Sequence, residues 1–221
     1  MFRSFAVYFL VLYVYAHTPK GISVKHRLTD TSCLKKEGYS FIIFRAFISV
    51  GTLDYNIVSN LEALPKNLDF VDIYMNPCMK CPYSAEEQIE KMVKELQDKK
   101  YRKIWIMVQT KSGWKSDNKD NCKFLKNLLS KAKELGKSIG IATNHKEWLV
   151  VMGSTCEINK YSTELWFIGN DNEETVTNFE RFGGFQTPVM KELVDTVNQC
   201  GGDTKIIVLY DNHKHSVKED L

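Results

Sequence analysis

The strongest constraint on the fold is an alternation of strand-like and helix-like segments through the first two thirds of the chain. Residues 41–47 are almost continuously apolar, which is typical of a strand buried on both faces of a parallel sheet. Ser84 and Glu87 form a capping-box pattern, and the segment behind them has one apolar helical face. Further strands are predicted at residues 22–24, 70–74, 104–108 and 138–142, and further helices near residues 54, 124 and 147. Repeated βα units predict a parallel sheet covered by helices.

The last third of the chain has a different pattern. After about residue 160 the helical periodicity fades, and residues 164–168, 189–194 and 206–210 look like strands joined by loops. We therefore predict an α/β fold, a modified TIM-like (β/α) barrel that is helix-poor in its last third. The alternative is an open, doubly wound sheet. The chain contains no Gly-x-Gly-x-x-Gly turn and no phosphate loop, so a nucleotide site is not expected.

Both ends of the chain are predicted to lie outside the folded domain. Residues 5–15 are apolar or aromatic throughout and are followed by a small residue, which indicates a signal peptide over residues 1–16. Residues 213–221 form a polar tail. The intervening residues 17–212 are enough for one domain with a single core. We therefore expect a secreted, extracellular protein that is not stably inserted in a membrane after the signal peptide is removed.

The chain has an even number of cysteines, which fits a secreted protein held by disulfides. They are Cys33, Cys78, Cys81, Cys122, Cys156 and Cys200. Sequence alone leaves their pairing open. Cys78 and Cys81 also have the spacing of metal ligands, but a zinc site needs a second pair or two histidines nearby, and none is evident. We predict no metal site and no cofactor.

The charge pattern argues against nucleic acid as a partner. The formal net charge is +3, and the lysines alternate with acidic residues along the chain, as on solvated helix faces. A mild positive balance also suits an anionic bacterial cell-wall polymer. A partner of that kind is therefore compatible with the composition.

Several short motifs occur in a fixed order along nearly the whole mature chain. They are Gly38-Tyr39-Ser40-Phe41, Arg45-Ala46-Phe47, the stretch from Val71 to Cys78, Ile104-Trp105-Ile106, the stretch from Ile139 to Asn144 with Trp148, Leu165-Trp166, and Phe182-Gly183-Gly184-Phe185 with Pro188. In order and spacing this set resembles the family-25 glycoside hydrolases, and closely the nematode-type lysozymes of that family. The resemblance implies a modified TIM barrel with its site at the C-terminal ends of the strands. It also implies hydrolysis of the β-1,4 bonds of bacterial peptidoglycan, in innate defence or digestion of bacteria.

The same resemblance implies carboxylates at positions where this chain has none. In the family, an aspartate is expected on the first strand, and Ser23 stands at that place in this chain. Asp-x-Glu is expected at the end of the family's fourth strand, and Met107 and Gln109 stand there in this chain. The tyrosine expected on the fifth strand is replaced by Ala142. General acid catalysis typically contributes roughly 10²–10⁴-fold, and glycoside hydrolysis needs two carboxyl groups. We therefore predict no intact catalytic residues: a lysozyme-like pseudoenzyme, impaired or inactive, that retains binding of cell-wall glycan.

Five residues are candidates for a glycan-binding groove: Asp72, Tyr74, Asn144, Trp166 and Glu192. Aromatic residues in strands are also common in cores, and Asn144 is equally suited to be a helix N-cap. One alternative is an active hydrolase that uses a rearranged acid pair such as Asp72 and Glu192, at the roughly 5–9.5 Å separation of glycosidase acids. The other is an interaction protein without glycan affinity.

Overall fold

One continuous sheet organises the fold. The computed structural model describes residues 18–161, 163–177 and 179–210, and within them nine strands form this sheet. The strands are β1 (Lys20–Val24), β2 (Phe41–Ile48), β3 (Thr52–Leu53), β4 (Phe70–Met75), β5 (Lys103–Met107), β6 (Ser138–Thr143), β7 (Glu164–Ile168), β8 (Met190–Gln199) and β9 (Gly202–Leu209). The predicted signal peptide and polar tail, residues 1–16 and 213–221, lie outside the described residues.

The helices lie in the first two thirds of the chain. They are α1 (Ser32–Lys36), α2 (Ile57–Glu62), α3 (Ala85–Glu95), α4 (Asn118–Glu134) and α5 (His145–Met152). Beyond α5 the described residues contain one 3-10 turn, Asn159–Tyr161, and no further α-helix. The predicted helix-poor last third is therefore confirmed. The short elements α1 and β3 are not predicted from the sequence.

The sheet closes on itself through two kinds of pairing. Parallel pairs run from β1 through β2, β4, β5, β6 and β7 to β8. Strand β9 lies antiparallel between β8 and β1, and β3 makes a short antiparallel pair with β2. Ile22 of β1 is in register with Ile42 of β2 on one side and with Ile206 of β9 on the other, so β1 has no open edge. The barrel prediction is confirmed, and the open doubly wound sheet is excluded.

Apolar side chains fill two layers, one on each side of the barrel wall. Phe41 and Ile43 of β2 belong to the barrel interior, while Ile42 and Phe44 belong to the layer beneath the helices, and all four are fully buried. Successive residues of a strand point to opposite faces, so a strand buried on both faces is apolar at nearly every position. This explains the run at residues 41–47.

Local sequence signals account for the helix starts. Ser84 accepts a hydrogen bond from the backbone N–H of Glu87, whose carboxylate accepts one from the N–H of Ser84, so the predicted capping box begins α3. The residues that α3 then buries include Ile89 and Met92. No helix in the described ranges is long and apolar enough to cross a membrane.

All the cysteines are paired in disulfides. The bonds are Cys33–Cys200, Cys78–Cys81 and Cys122–Cys156. The prediction of disulfides is confirmed, and the pair with metal-ligand spacing is itself a disulfide. The Cys33–Cys200 bond joins α1 to the turn between β8 and β9, and the Cys122–Cys156 bond joins α4 to the segment after α5.

Candidate functional site at the mouth of the barrel

The barrel interior is a packed core with two distinct ends. We call the N-terminal ends of the parallel strands the floor and their C-terminal ends the mouth. Between them, the Trp166 ring lies edge-on to the rings of Tyr74 and Trp105, with centroid distances of 5.9 and 6.0 Å. Gly140 makes room for this packing, because a Cβ there would overlap the Trp105 ring. The interior is filled by side chains, so a ligand would meet the protein at an end of the barrel.

Asp72 is fully buried and is held from the floor side. Its carboxylate accepts hydrogen bonds from Arg102 Nε (3.0 Å) and Nη2 (2.8 Å), and from Trp105 Nε1 (2.8 Å). Arg102 directly precedes β5, and its guanidinium lies 3.5 Å from the centroid of the Phe70 ring. A carboxylate with two bonds from arginine and one from tryptophan has a structural role. The side chain of Asp72 is therefore not exposed in any groove.

The positions where the family resemblance implies catalytic acids lie at the mouth. Ser23 of β1 is in register with Ile43 of β2 and is partly exposed. Met107 is the last residue of β5 and is buried in the apolar interior cluster. Gln109 follows two residues later and is partly exposed, and its side-chain amide has no hydrogen bond to any described residue. The end of β5 therefore presents a thioether and an amide.

Glu192 brings a carboxyl group to the mouth beside Ser23. It lies on β8, in register with Ile168 of β7 and Ile207 of β9, and its carboxylate accepts a hydrogen bond from Ser23 Oγ at 3.3 Å. Although part of the residue is exposed, the surrounding protein desolvates the carboxyl group and raises its pKa to about 7. The positive charge of Lys205 and the Ser23 hydrogen bond act in the opposite direction. Glu192 therefore changes charge near neutral pH.

Tyr74 is almost completely buried and interacts electrostatically with this carboxyl group. Burial raises the pKa of its phenol well above the usual range, and the negative charge of Glu192 adds to that rise, whereas Arg45 opposes it. Arg45 donates from Nε to Asp54 at 2.6 Å, so its charge is already paired. Tyr74 is therefore a neutral group that forms the upper part of the interior core.

Asn144 and Trp166 have structural surroundings. Asn144 is the N-cap of α5: its side chain accepts from the N–H of Glu147 at 2.9 Å and donates to the carbonyl of Ile168 at 3.3 Å. Trp166 is fully buried, and its indole N–H has no hydrogen-bond partner among the described residues. Of the five groove candidates, Glu192 is the one that combines a reactive group with partial exposure and a single weak partner.

The described residues contain no group of three or more His, Cys, Asp or Glu side chains arranged to hold a metal ion. The polar groups that meet at the mouth are instead Ser23, Gln109, Glu192 and, across the β1–β9 pair, Lys205. Lys205 is not singled out in the sequence. Its place beside Ser23 depends on the antiparallel register of β9, which no local motif indicates.

Comparison with known proteins agrees with this architecture. A family model described as Lysozyme-like protein 1 matches residues 16–193. Probable GH family 25 lysozyme 2 of Dictyostelium discoideum is 31% identical over 183 residues, which are 81% of this chain and 84% of that protein. Lysozyme-like protein 5 of Caenorhabditis elegans is 28% identical over 188 residues, covering 82% of this chain and 86% of that protein.

Solved structures match the barrel closely in shape and distantly in sequence. The GH25 lysozyme of Aspergillus fumigatus superposes with a TM-score of 0.70 and 12% identity, over 91% of this chain and 98% of that one. The modular autolysin LytC of Streptococcus pneumoniae, solved with a synthetic peptidoglycan ligand, gives a TM-score of 0.65 and 14% identity over 88% of this chain and 47% of the autolysin. The match of the family model across most of the barrel and the 31% identity to a lysozyme place this chain among the lysozyme-like proteins of glycoside hydrolase family 25.

Proposed function

We propose that this protein is a secreted lysozyme-like pseudoenzyme that binds the glycan of bacterial peptidoglycan at the barrel mouth without cleaving it at a normal lysozyme rate. The observation that carries the proposal is the end of β5. Met107 and Gln109 stand there in place of the Asp-x-Glu that the family resemblance implies. A glutamine amide has no acidic proton, and a thioether carries no charge.

The chemistry of hydrolysis explains why this substitution supports a loss of cleavage. Cleavage requires a proton for the departing oxygen and a second carboxylate that acts as nucleophile or base. Glu192 supplies one carboxyl group at the mouth, and its nearest partner is the neutral Ser23 hydroxyl. Three further carboxylates on this side of the barrel are engaged by donors: Asp54 by Arg45 (2.6 Å), Asp171 by Lys191 (2.5 Å) and Glu147 by the backbone N–H of Thr110 (2.6 Å). Among the described residues, Glu192 therefore has no unengaged carboxylate at the mouth with which to form an acid pair.

The alternative is an active hydrolase that uses Asp72 and Glu192, and one observation favours it. A carboxyl group with a pKa of about 7, as at Glu192, is half-protonated near neutrality and suits a general acid. Asp72 is a poor second member, because it is fully buried and already bound by Arg102 and Trp105. We therefore place this reading second.

Binding without cleavage is supported by the family and by what remains at the mouth. The related autolysin LytC is described in complex with a synthetic peptidoglycan ligand. In this chain Ser23, Gln109 and Glu192 are partly exposed at the mouth of the barrel, and all three carry groups that hydrogen-bond sugar hydroxyls. Secretion is supported by the pairing of every cysteine in a disulfide, a state that oxidising compartments maintain.

The test compares the wild type with a variant in which the implied acids are restored by Ser23→Asp, Met107→Asp and Gln109→Glu. Binding is measured by sedimentation with purified peptidoglycan, and cleavage by loss of wall turbidity. We expect the wild type to bind without lysis and the restored variant to lyse walls, with a gain on the order of 10²-fold or more. The matched control carries Ser23→Asn and Met107→Asn with Gln109 unchanged. It adds neutral amides of the same size as the aspartates but no carboxylate, and should stay inactive.

Two outcomes would contradict the proposal. Lysis by the wild type that is lost in Glu192→Gln would favour the active hydrolase. Absence of binding by the wild type and by the restored variant, with both folded by circular dichroism, would favour an interaction protein without glycan affinity.

A further inference from the structure

A second concave surface lies on the outer side of the barrel and shares no residue with Ser23, Gln109 and Glu192 at the mouth. It is a groove of about 440 Å³ between α4 and the segment that follows α5. Its lining residues are largely polar or basic: Asn118, Lys119, Cys122, Lys123, Lys126, Asn127, Met152, Thr155, Lys160 and Tyr161. The lining contains no carboxylate, although Asp120 and Glu157 are close in sequence. The fold has therefore separated basic from acidic residues that alternate along the chain.

The groove has a concentrated positive charge. Lys119, Lys123, Lys126 and Lys160 line it, and none of them forms an ion pair with a carboxylate of the described residues. The pKa of Tyr161 is lowered, which reflects the resulting positive potential. Burial acts to raise its pKa, but hydrogen bonds from Ser130 and Lys160 and the charges of Lys160 and Lys126 lower it. The positive charge of these four lysines, none of which forms an ion pair within the described residues, exceeds the net charge of +3 on the whole chain.

The two walls of the groove are fixed relative to each other. The Cys122–Cys156 disulfide joins α4 to the opposite wall. Asn118 Nδ2 donates to the carbonyl of Val150 at 2.8 Å, and the buried Asn121 donates to that of Val151 at 2.7 Å. The backbone of a groove held in this way loses little entropy when a ligand binds, and the backbone positions of its lysines keep their spacing.

We propose that this groove binds a linear phosphodiester polymer. Lys119, Lys123 and Lys126 fall on one face of α4 and form a row about 10 Å long, to which Lys160 adds a charge from the opposite wall. A row of regularly spaced cations matches a chain of regularly spaced anions. Lysine binds phosphate as a point charge, and the lining contains no arginine, so the groove offers positive charge along its length without the bidentate geometry of a guanidinium.

The identity of the polymer and the existence of the site rest on different observations. The choice of a bacterial wall polymer with a glycerol-phosphate backbone rests on the proposed function, because a protein that meets peptidoglycan also meets the phosphodiester chains attached to walls. The groove itself does not depend on the mouth. Loss of glycan binding at the mouth would leave binding of inorganic polyphosphate in the groove unchanged.

The experiment uses two four-site variants with the same change in charge. The groove variant carries Lys→Gln at positions 119, 123, 126 and 160, and the control carries Lys→Gln at positions 35, 66, 80 and 100, which are exposed and outside the groove. Titration with inorganic polyphosphate tests the site. We expect the groove variant to bind at least tenfold more weakly than the wild type, with a shallower salt dependence of log K, and the control to change less than threefold. Thermal melts confirm that both variants fold.

Binding to whole bacterial walls tests whether the phosphodiester polymer of the wall is the ligand of the groove. Wild-type protein should bind walls that carry the phosphodiester polymer more strongly than walls from which it has been removed, and only the groove variant should lose that difference. Equal weakening of both four-site variants, or no binding of polyphosphate by the wild type, would overturn the site. Tighter binding of single-stranded DNA than of the wall polymer would overturn the assigned source.

Discussion

Buried charged groups are fully paired at the floor of the barrel and incompletely paired at its mouth. At the floor, Asp72 accepts three hydrogen bonds from Arg102 and Trp105, and Lys103 is paired with Glu164. At the mouth, the carboxyl group of Glu192 has one neutral donor at 3.3 Å, and its pKa rises to about 7. Both regions take polar groups out of water, but only the floor supplies full compensation.

This difference distinguishes the residues that stabilise the barrel from the residues that the barrel exposes at its mouth. A buried charge with complete partners serves the fold, because removing it leaves its partners unsatisfied. An incompletely paired acid at the open end of the strands costs stability, and perturbed groups in clefts are common at functional sites. The mouth keeps that character although Met107 and Gln109 provide no carboxylate. Changes of one carboxyl group at a time test this difference between the floor and the mouth.

The largest effect is expected at the floor, for Asp72→Ala. This change removes the partner of Arg102 and leaves the indole N–H of Trp105 buried without an acceptor. Breaking a buried ion pair from one side typically costs about 3–5 kcal/mol of unfolding free energy. Urea denaturation monitored by tryptophan fluorescence measures it. As a control, Asp69→Ala in the exposed residue just before β4 should cost less than about 0.5 kcal/mol.

A small loss for Asp72→Ala, comparable to the Asp69→Ala control, would mean that the Arg102 contact is an exchangeable surface interaction. The contrast between floor and mouth would then fail. Asp72 would also become a candidate acid again, because a weakly held carboxylate is free to take part in chemistry.

The next effect is a pH dependence that belongs to Glu192. Its folded-state pKa of about 7 lies above the ordinary value of 4.5, so the folded state binds the proton more tightly than the unfolded state does. The stabilisation is complete below about pH 4.5 and is lost as the pH rises towards 7. Glu192→Gln mimics the protonated acid. It should match the wild type at pH 4.5 and exceed it at pH 8 by on the order of 2 kcal/mol, after allowance for the partial exposure of the group.

The matched control for this prediction is Glu164→Gln at the floor. Its carboxylate is the partner of Lys103, a largely buried cation, so its neutralisation should lower the unfolding free energy at pH 8 instead of raising it. Chemical denaturation of the two variants over the same series of pH values gives the sign of the change in unfolding free energy directly. Destabilisation of both at pH 8 would show that the mouth carboxylate is as well compensated as the floor carboxylate.

The sequence predicts the barrel well because the relevant signals are local. The apolar run at residues 41–47 and the capping box at Ser84 mark a strand and a helix start without knowledge of the rest of the fold. The closure by β9 is not visible in this way. It depends on an antiparallel register with both β8 and β1, and the segment around residues 206–210 looks like any other short strand.

The site is predicted less completely, because depth and partnership are not local properties. Positions 107 and 109 are found through the family resemblance and lie at the end of β5. Strand periodicity predicts which face Trp166 occupies, but it does not say that the ring lies below the surface, packed against Tyr74. The Arg102 partner of Asp72 is 30 residues away and becomes its neighbour only through the pairing of β4 with β5.

The smallest effect, and the most specific test of the mouth, is expected for Ser23→Ala. The Ser23 hydroxyl donates to the carboxylate of Glu192 at 3.3 Å and lowers the pKa of that group, which desolvation otherwise raises. Its loss should cost about 0.5–1 kcal/mol at pH 8, where Glu192 is charged, and less at pH 5. The midpoint of the Glu192 transition should move to higher pH. Ser40→Ala is the matched control, because the Ser40 hydroxyl is buried without a partner among the described residues, so its removal should not lower stability and its effect should be independent of pH. A Ser23→Ala loss that is the same at both pH values would assign Ser23 to packing, and would leave the positive charge of Lys205 as the larger influence that lowers the pKa of Glu192.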